Sequence, residues 1–254
     1  MIQTKSDKDF RVFDEINSTG MALSLYTARA CDHYMYNTED SVGLYEKFAE
    51  RLGTDAAHMI RPEQRHTDLV VKVGPENAGE GVVRPGKVQH DAIITNTPGL
   101  VITVATADCL PVSVLDPVKK AIGIIHSGWE GTRKGISRKT VEKMIEEYGT
   151  DPKDLICCVG PHICEDCYEV GAELIDFFLE EYSAEECRIL FSPKEDGKYL
   201  LNLGLGVKLT LMKAGVQAEN IHIPDLCTFH TEDYSSWRRT RSLTERILSG
   251  IMLK

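Results

Sequence analysis

The hydrophobic pattern changes period along the chain, and the changes mark the elements. Between Val101 and Ile125 lie three apolar runs, Val101 to Thr106, Val112 to Leu115 and Ala121 to Ile125. They are rich in β-branched residues and broken by Asp, Pro or Lys-Lys, so each reads as a buried strand. Upstream, Phe10 to Ile16 and Met21 to Thr27 read as two strands around a turn at Asn17-Ser18-Thr19-Gly20. Ser41 to Leu52 shifts to helical spacing: Val42, Leu44, Tyr45, Phe48, Ala49 and Leu52 are apolar. Asp40 or Ser41 serves as cap and Gly53 as stop. Leu69 to Val73 and Asp91 to Thr95 are strand-like.

Downstream, Thr132 to Tyr148 is amphipathic, with Ile136, Thr140, Val141, Met144, Ile145 and Tyr148 on one helical face. A strand from Leu155 to Val159, a helix from Val170 to Tyr182, a helix from Asn202 to Ala214 ended by Gly215, and a strand from Ile221 to Ile223 complete the reading. There is no internal repeat and no break in composition. The pattern predicts an α+β (α/β-like) fold, a single domain over residues 1–254, with a mixed β-sheet flanked by helices.

Composition narrows the functional classes. A net charge of −10 argues against nucleic acid as the main partner, because phosphate contacts need a surplus of Lys and Arg. No apolar run approaches the length of a membrane helix, and the polar start MIQTKSDKDF has no signal-peptide core. A cytoplasmic, reducing setting is expected, in which the eight cysteines are free thiols or ligands rather than disulfides.

The chemistry gathers on the central strands. Asp108-Cys109 follows the first run and His126 follows the third, so a thiol and an imidazole stand at strand ends where they can converge. Singly, each reads as a core residue; together they suit a metal site or a nucleophile and its base. A third metal ligand would be needed. His66 is the first choice, with His33, His58, His90 and His230 behind it. Asp108 reads either as an orienter or acid/base beside the ligand, or as a strand-end hydrogen bond to backbone. Arg238, Arg239, Arg241 and Arg246 read equally as a solvated face and as an anion site. Gly128 and Gly131 would let backbone approach the site. Cys164-x2-Cys167, with only the adjacent pair Cys157-Cys158 upstream, reads as structural or incidental.

Several segments together resemble the laccase-domain (YfiH-like) family, formerly described as multicopper polyphenol oxidases and associated with zinc-dependent purine nucleoside chemistry. These are Gln64-Arg65-His66, Asp91-Ala92-Ile93-Ile94-Thr95, Thr106-Ala107-Asp108-Cys109-Leu110-Pro111, His126-Ser127-Gly128-Trp129-Glu130-Gly131-Thr132, Gly160 to Ile163, Cys167 to Val170, and Cys227-Thr228 before an arginine-rich tail. The resemblance implies metal ligands at His66, Cys109 and His126, and Zn²⁺ as cofactor, with Cu able to use the same ligands. It implies phosphorolysis of adenosine, inosine or methylthioadenosine, deamination of adenosine, or both. Cys109, His126 and Asp108 would be catalytic, and Arg29, Gln64, Arg238, Arg239 and Arg246 would bind substrate or anion. The partners would be a small nucleoside and phosphate. The chain departs from the family where Ala30-Cys31-Asp32-His33 follows Arg29, at Glu130, at Trp237, and at Glu245 before Arg246. The rival reading is a cysteine hydrolase, with Cys109 as nucleophile and His126 as base, acting on an amide or a peptidoglycan precursor. A copper phenol oxidase fits less well: the chain has eight histidines and no His-x-His.

Overall fold

The central runs are apolar at nearly every position because both of their faces are covered. The computed structural model describes residues 6, 8–28, 39–86 and 89–254, with the backbone alone for 39–42. Among these, a five-stranded sheet has the order Phe10–Val12, Ala22–Thr27, Ile247–Leu253, Val101–Thr106, Met59–Ile60. A six-stranded sheet has the order Ile221–His222, Ile156–Val159, Leu110–Asp116, Ala121–Ser127, Ala92–Thr95, Val70–Lys72. A small sheet joins Glu169–Val170, Tyr199–Leu201 and Phe191–Pro193. Both large sheets are mixed: Met59–Ile60 runs parallel to Val101–Thr106, and Val70–Lys72 parallel to Ala92–Thr95.

Alternation along the strands shows how the layers stack. Ile102, Val104, Ile247 and Ile251 of the first sheet share one buried cluster with Leu115, Ile122 and Ile124 of the second, so the two sheets pack face to face. Val101, Ala105, Leu248 and Met252 point the other way, against Tyr45, Phe48, Ala49 and Leu52 of the helix Glu39–Leu52. On the far side, Val112, Val114 and Ile125 meet Ile136, Val141 and Met144 of the helix Ile136–Tyr148, and Val207 and Leu211 of Leu203–Lys213. The mixed sheet expected from the sequence is therefore two stacked sheets with helices outside, and Val101–Thr106 lies in a different sheet from the other two central runs. No helix among the described residues is long and apolar enough to cross a membrane.

Three expected elements differ, and the C-terminal segment adds a strand that the pattern did not mark. The first strand stops at Val12, and Asp14–Asn17 is a helical turn closed by Asn17, whose Oδ1 accepts from the Ser24 amide at 2.7 Å. The Thr132–Tyr148 helix is split into Trp129–Arg133 and Ile136–Tyr148 by Gly135, at φ 69°, where a Cβ would meet the Glu181 carboxyl carbon at 2.8 Å. Val170 is drawn into the small sheet opposite Tyr199, which leaves only Glu173–Phe178 helical. The apolar tail is a full strand, Ile247–Leu253, placed between Ala22–Thr27 and Val101–Thr106. Of the residues read as helix near 41, Asp40, Ser41 and Val42 have side chains outside those described.

Candidate active site

The chain crosses between the two large sheets at Ala107-Asp108-Cys109, and that crossing positions the site. Val101–Thr106 ends in the five-stranded sheet and Leu110–Asp116 begins in the six-stranded one. Asp108 makes the bend at φ 82°, a left-handed conformation costly for a residue with a Cβ. Its carboxylate holds the bend: Oδ1 accepts from Thr228 Oγ1 at 2.6 Å, and Oδ2 accepts from the Arg238 backbone amide at 2.6 Å. Cys109 therefore stands at the head of a strand whose next residues pair with its neighbour, Leu110 opposite Ser127 and Pro111 opposite His126.

His66 arrives from the loop between Met59–Ile60 and Val70–Lys72, itself left-handed at φ 58°. The buried Asp91 organises that loop. Its carboxylate accepts from the backbone amides of Arg65 (3.2 Å), His66 (3.1 Å) and Thr67 (2.6 Å) and from Thr67 Oγ1 (2.8 Å). Asp91 Oδ1 also lies 2.7 Å from His126 Nδ1. One carboxylate thus fixes a left-handed loop and the orientation of a neighbouring imidazole, leaving Nε2 of His126 to face the site.

His66, Cys109 and His126 come together: one donor atom of each lies within 4.8 Å of the others. Cys109 Sγ is 3.8 Å from His66 Nε2, and the two imidazole rings meet edge to face at 4.8 Å between centroids. Gly128 is a requirement of this packing, since a Cβ there would lie 2.9 Å from Cys109 Sγ and 3.0 Å from His66 Cδ2. Burial opposes charge on both Cys109 and His126, but their mutual attraction wins. With help from His66, the Cys109 thiol is held down at about 6. With help from Asp91, the His126 imidazole is held up at about 9. Each shift favours the charged form of its group, a thiolate at Cys109 and an imidazolium at His126. Two imidazoles and a thiolate, one imidazole braced on a carboxylate, are a donor set that could hold a borderline metal such as zinc or copper.

The three residues lie in a pocket of about 760 Å³. Trp129, Ile163, Tyr168, Leu203 and Trp237 give it flat and apolar walls, and Arg61, Arg65, Arg238 and Arg246 give it positive ones. Arg238 lies 5.0 Å over the Tyr168 ring and donates to the Glu169 carbonyl at 2.9 Å. Burial lowers the Arg246 pKa from its ordinary value, and the charge of nearby Arg61 lowers it further. Two guanidinium groups turned toward one region favour an anion between them.

The other expected site residues have different placements. Gln64 lines the pocket, but both ends of its amide are engaged by Ala105: Nε2 donates to the carbonyl and Oε1 accepts from the amide, each at 2.8 Å. Arg239 points into its own loop, donating to the carbonyls of Thr228 at 2.6 Å, Phe229 at 2.8 Å and Tyr234 at 2.5 Å. Arg241 caps Trp237 at 4.2 Å. Glu130 faces Arg133 and Lys134 at 2.9 and 3.1 Å, away from the pocket lining. Arg29, Cys31 and His33 lie outside the described residues. Of the alternative histidines, His58 pairs with Asp55, His90 is buried elsewhere, and His230 belongs to a separate cluster. Arg61 and Asp91 are the residues the sequence reading passed over. Arg61 has no local pattern to mark it, whereas Asp91 opens a recognised strand motif and could have been read as more than its first residue.

Fold and pocket together define a class: a mixed α/β protein with a His-Cys-His donor set at the floor of an arginine-lined cleft. The family model described as multi-copper polyphenol oxidoreductase laccase matches residues 20–254, and the chain belongs to that family. It is 33% identical over 198 residues to a purine nucleoside phosphorylase of Bacteroides thetaiotaomicron, spanning 77% of this chain and 73% of the relative. It is 31% identical over 218 residues to the adenosine deaminase RL5 of an unknown prokaryotic organism, spanning 81% of this chain and 79% of the relative. The crystal structure of the Bacillus licheniformis hypothetical protein YfiH superposes with a TM-score of 0.89 at 26% identity, covering 98% of both chains.

Proposed function

We propose that the protein is a metal-dependent purine nucleoside enzyme, acting by phosphorolysis, by deamination of adenosine, or by both. The observation that carries this reading is the convergence of His66, Cys109 and His126 beside a cleft that offers flat apolar walls and four arginines. The names of its relatives point the same way. His66, Cys109 and His126 would hold the ion, zinc by the family resemblance. When bound, it would supply Lewis-acid activation of the group it faces.

The chain's own residues do the rest. Trp129, Tyr168 and Trp237 enclose the purine, whose flat faces suit aromatic walls. Arg61, Arg238 and Arg246 hold phosphate by charge-assisted hydrogen bonds. In phosphorolysis an oxygen of hydrogen phosphate forms a bond to C1′ as the bond to the purine N9 breaks, and the phosphate's proton passes to the departing base, giving the pentose 1-phosphate and the free base. In deamination water adds at C6 and ammonia leaves, giving inosine. Asp108, with both oxygens engaged, is a positioning residue that sets the Arg238 backbone and the bend before Cys109.

One observation favours a second reading. Asp91, His126 and Cys109 stand in the order carboxylate, imidazole, thiol, with thiolate character at Cys109, as in a cysteine hydrolase. The deciding experiment incubates wild type and Cys109→Ala with adenosine, inosine and methylthioadenosine, with and without phosphate, before and after chelation. Free base or inosine lost on chelation and restored by zinc is the expected result. No nucleoside turnover by the zinc-loaded protein sinks the proposal, and chelator-resistant amide hydrolysis blocked by thiol alkylation establishes the rival.

A further inference from the structure

A second group of soft donors lies behind the pocket. Two loops carry it: Cys164-Glu165-Asp166-Cys167 and Cys227-Thr228-Phe229-His230. Each presents two donors three residues apart, the C-x2-C and C-x2-H spacings of structural zinc sites. One donor atom of each of Cys164, Cys167, Cys227 and His230 lies within 4.8 Å of all the others. Cys167 Sγ and His230 Nε2 are 3.0 Å apart, and none of the three thiols is in a disulfide. Bonds of about 2.3 Å from a central ion to its corners give a tetrahedron with edges of about 3.8 Å, so an ion fits with shifts of about 1 Å.

The surrounding backbone is already arranged for this. The loops are held in register at His162 and Cys227 by two hydrogen bonds: His162 N donates to Leu226 O at 3.2 Å, and Thr228 N to His162 O at 2.9 Å. The Cys164 amide donates to Cys227 Sγ at 3.4 Å, the kind of contact that supports a ligating thiolate. Glu165, an acidic residue of the same loop, is occupied by Ser192 and Asn202.

We propose that Cys164, Cys167, Cys227 and His230 form a second, structural zinc site that pins the back wall of the catalytic pocket. The ligands are flanked by residues of that wall. Ile163 precedes Cys164 and Tyr168 follows Cys167, and both line the pocket. Thr228, next to Cys227, donates to Asp108, which holds the bend before Cys109. Three sulfurs and one nitrogen close a tetrahedron with no open position. This differs from the three-donor floor of the pocket, and its role is to fasten together two loops that the hydrogen bonds at His162 and Cys227 bring side by side.

The test is metal analysis of protein purified without chelator. Wild type is expected to carry two zinc ions per chain, and one should remain in His66→Ala/Cys109→Ser. The variant Cys167→Ser/His230→Ala should also carry one, and the combined variant none. Should the loop variant not fold, cobalt added to His66→Ala/Cys109→Ser decides. Tetrahedral d–d bands with intense thiolate-to-cobalt charge transfer are expected, discharged by zinc. One ion in both wild type and the pocket variant still supports this site while sinking the metal reading of the pocket. A pocket variant that holds no zinc and gives no such cobalt spectrum overturns the proposal. So does a disulfide among the three cysteines in freshly isolated wild type.

Discussion

Asp91 Oδ1 lies 2.7 Å from His126 Nδ1, and the same buried carboxylate accepts from three consecutive backbone amides at residues 65–67. Loop and imidazole therefore share one acceptor. Asp91→Asn keeps the shape but removes the charge and replaces one acceptor oxygen with an NH2 donor that faces other donors. An unsatisfied buried donor costs about 1–3 kcal/mol, so the melting temperature should fall. Loss of a bracing carboxylate typically weakens a metal site by about 10–100-fold. Chelator competition should show zinc affinity at the pocket dropping by that order; an affinity equal to wild type would remove Asp91 from the site.

The Cys109–His126 pair predicts a pH signature in metal-stripped protein. Cys109 is held down at about 6, so its thiolate fraction rises as pH climbs through that value and is nearly complete at neutrality. Peptide-resolved alkylation should level off near neutral pH, whereas an ordinary thiol, with a pKa of about 8.5, plateaus only in mild alkali. Removing the cation with His126→Gln should move the Cys109 midpoint upward. A wild-type midpoint at the ordinary thiol value would show that the two side chains do not share charge.

Two arginines of the tail should separate by their effects. Arg246 lines the pocket and donates to the carbonyls of Ser242 at 3.2 Å and Glu245 at 2.6 Å, while Arg239 ties together the more distant carbonyls of Thr228, Phe229 and Tyr234. A hydrogen bond to a charged group is worth about 1.5–3 kcal/mol. Arg246→Met should therefore raise KM for phosphate by roughly 10–100-fold, with a smaller fall in melting temperature than Arg239→Met gives. Arg239→Met should lower the melting temperature and leave KM for phosphate near wild type. The reverse pattern in steady-state kinetics and thermal melts would exchange their roles.

Much of this was legible in the chain. The three central apolar runs are strands because burial on both faces erases the polar alternation that a one-sided sheet would show. What the pattern did not reveal was that the first run belongs to a different sheet. That depends on the left-handed bend at Asp108, a conformation that no local preference of Asp announces strongly. The split at Gly135 was hidden because Thr132 and Ile136 both face inward, so apolar periodicity continues across the break. The helix Ala184–Leu190 did carry a local sign, the Ser183-x-x-Glu186 capping box. In the site, His66, Cys109 and His126 were marked by residue type and motif. Arg61 was not, since the loop that carries it has no periodicity of its own. Read beside its neighbours, the Cys164-x2-Cys167 spacing has no partner, because Cys157-Cys158 lie buried in a strand. The second pair is some sixty residues further on, where Cys227 and His230 stand three apart.

The strand Ile247–Leu253 runs through the interior of the five-stranded sheet, hydrogen-bonded on one side to residues near 25 and on the other to residues near 104. During synthesis, Ala22–Thr27 and Val101–Thr106 leave the ribosome long before the strand that must lie between them. Until residues near 250 emerge, that sheet is two separated fragments with open edges, and Ile102 and Val104 lack the cover of Ile247 and Ile251. Arg246, one position upstream, reaches the pocket only when this strand is seated. The cleft therefore acquires its full charge in the same step that closes the sheet, so a nascent chain has no functional half-state to display.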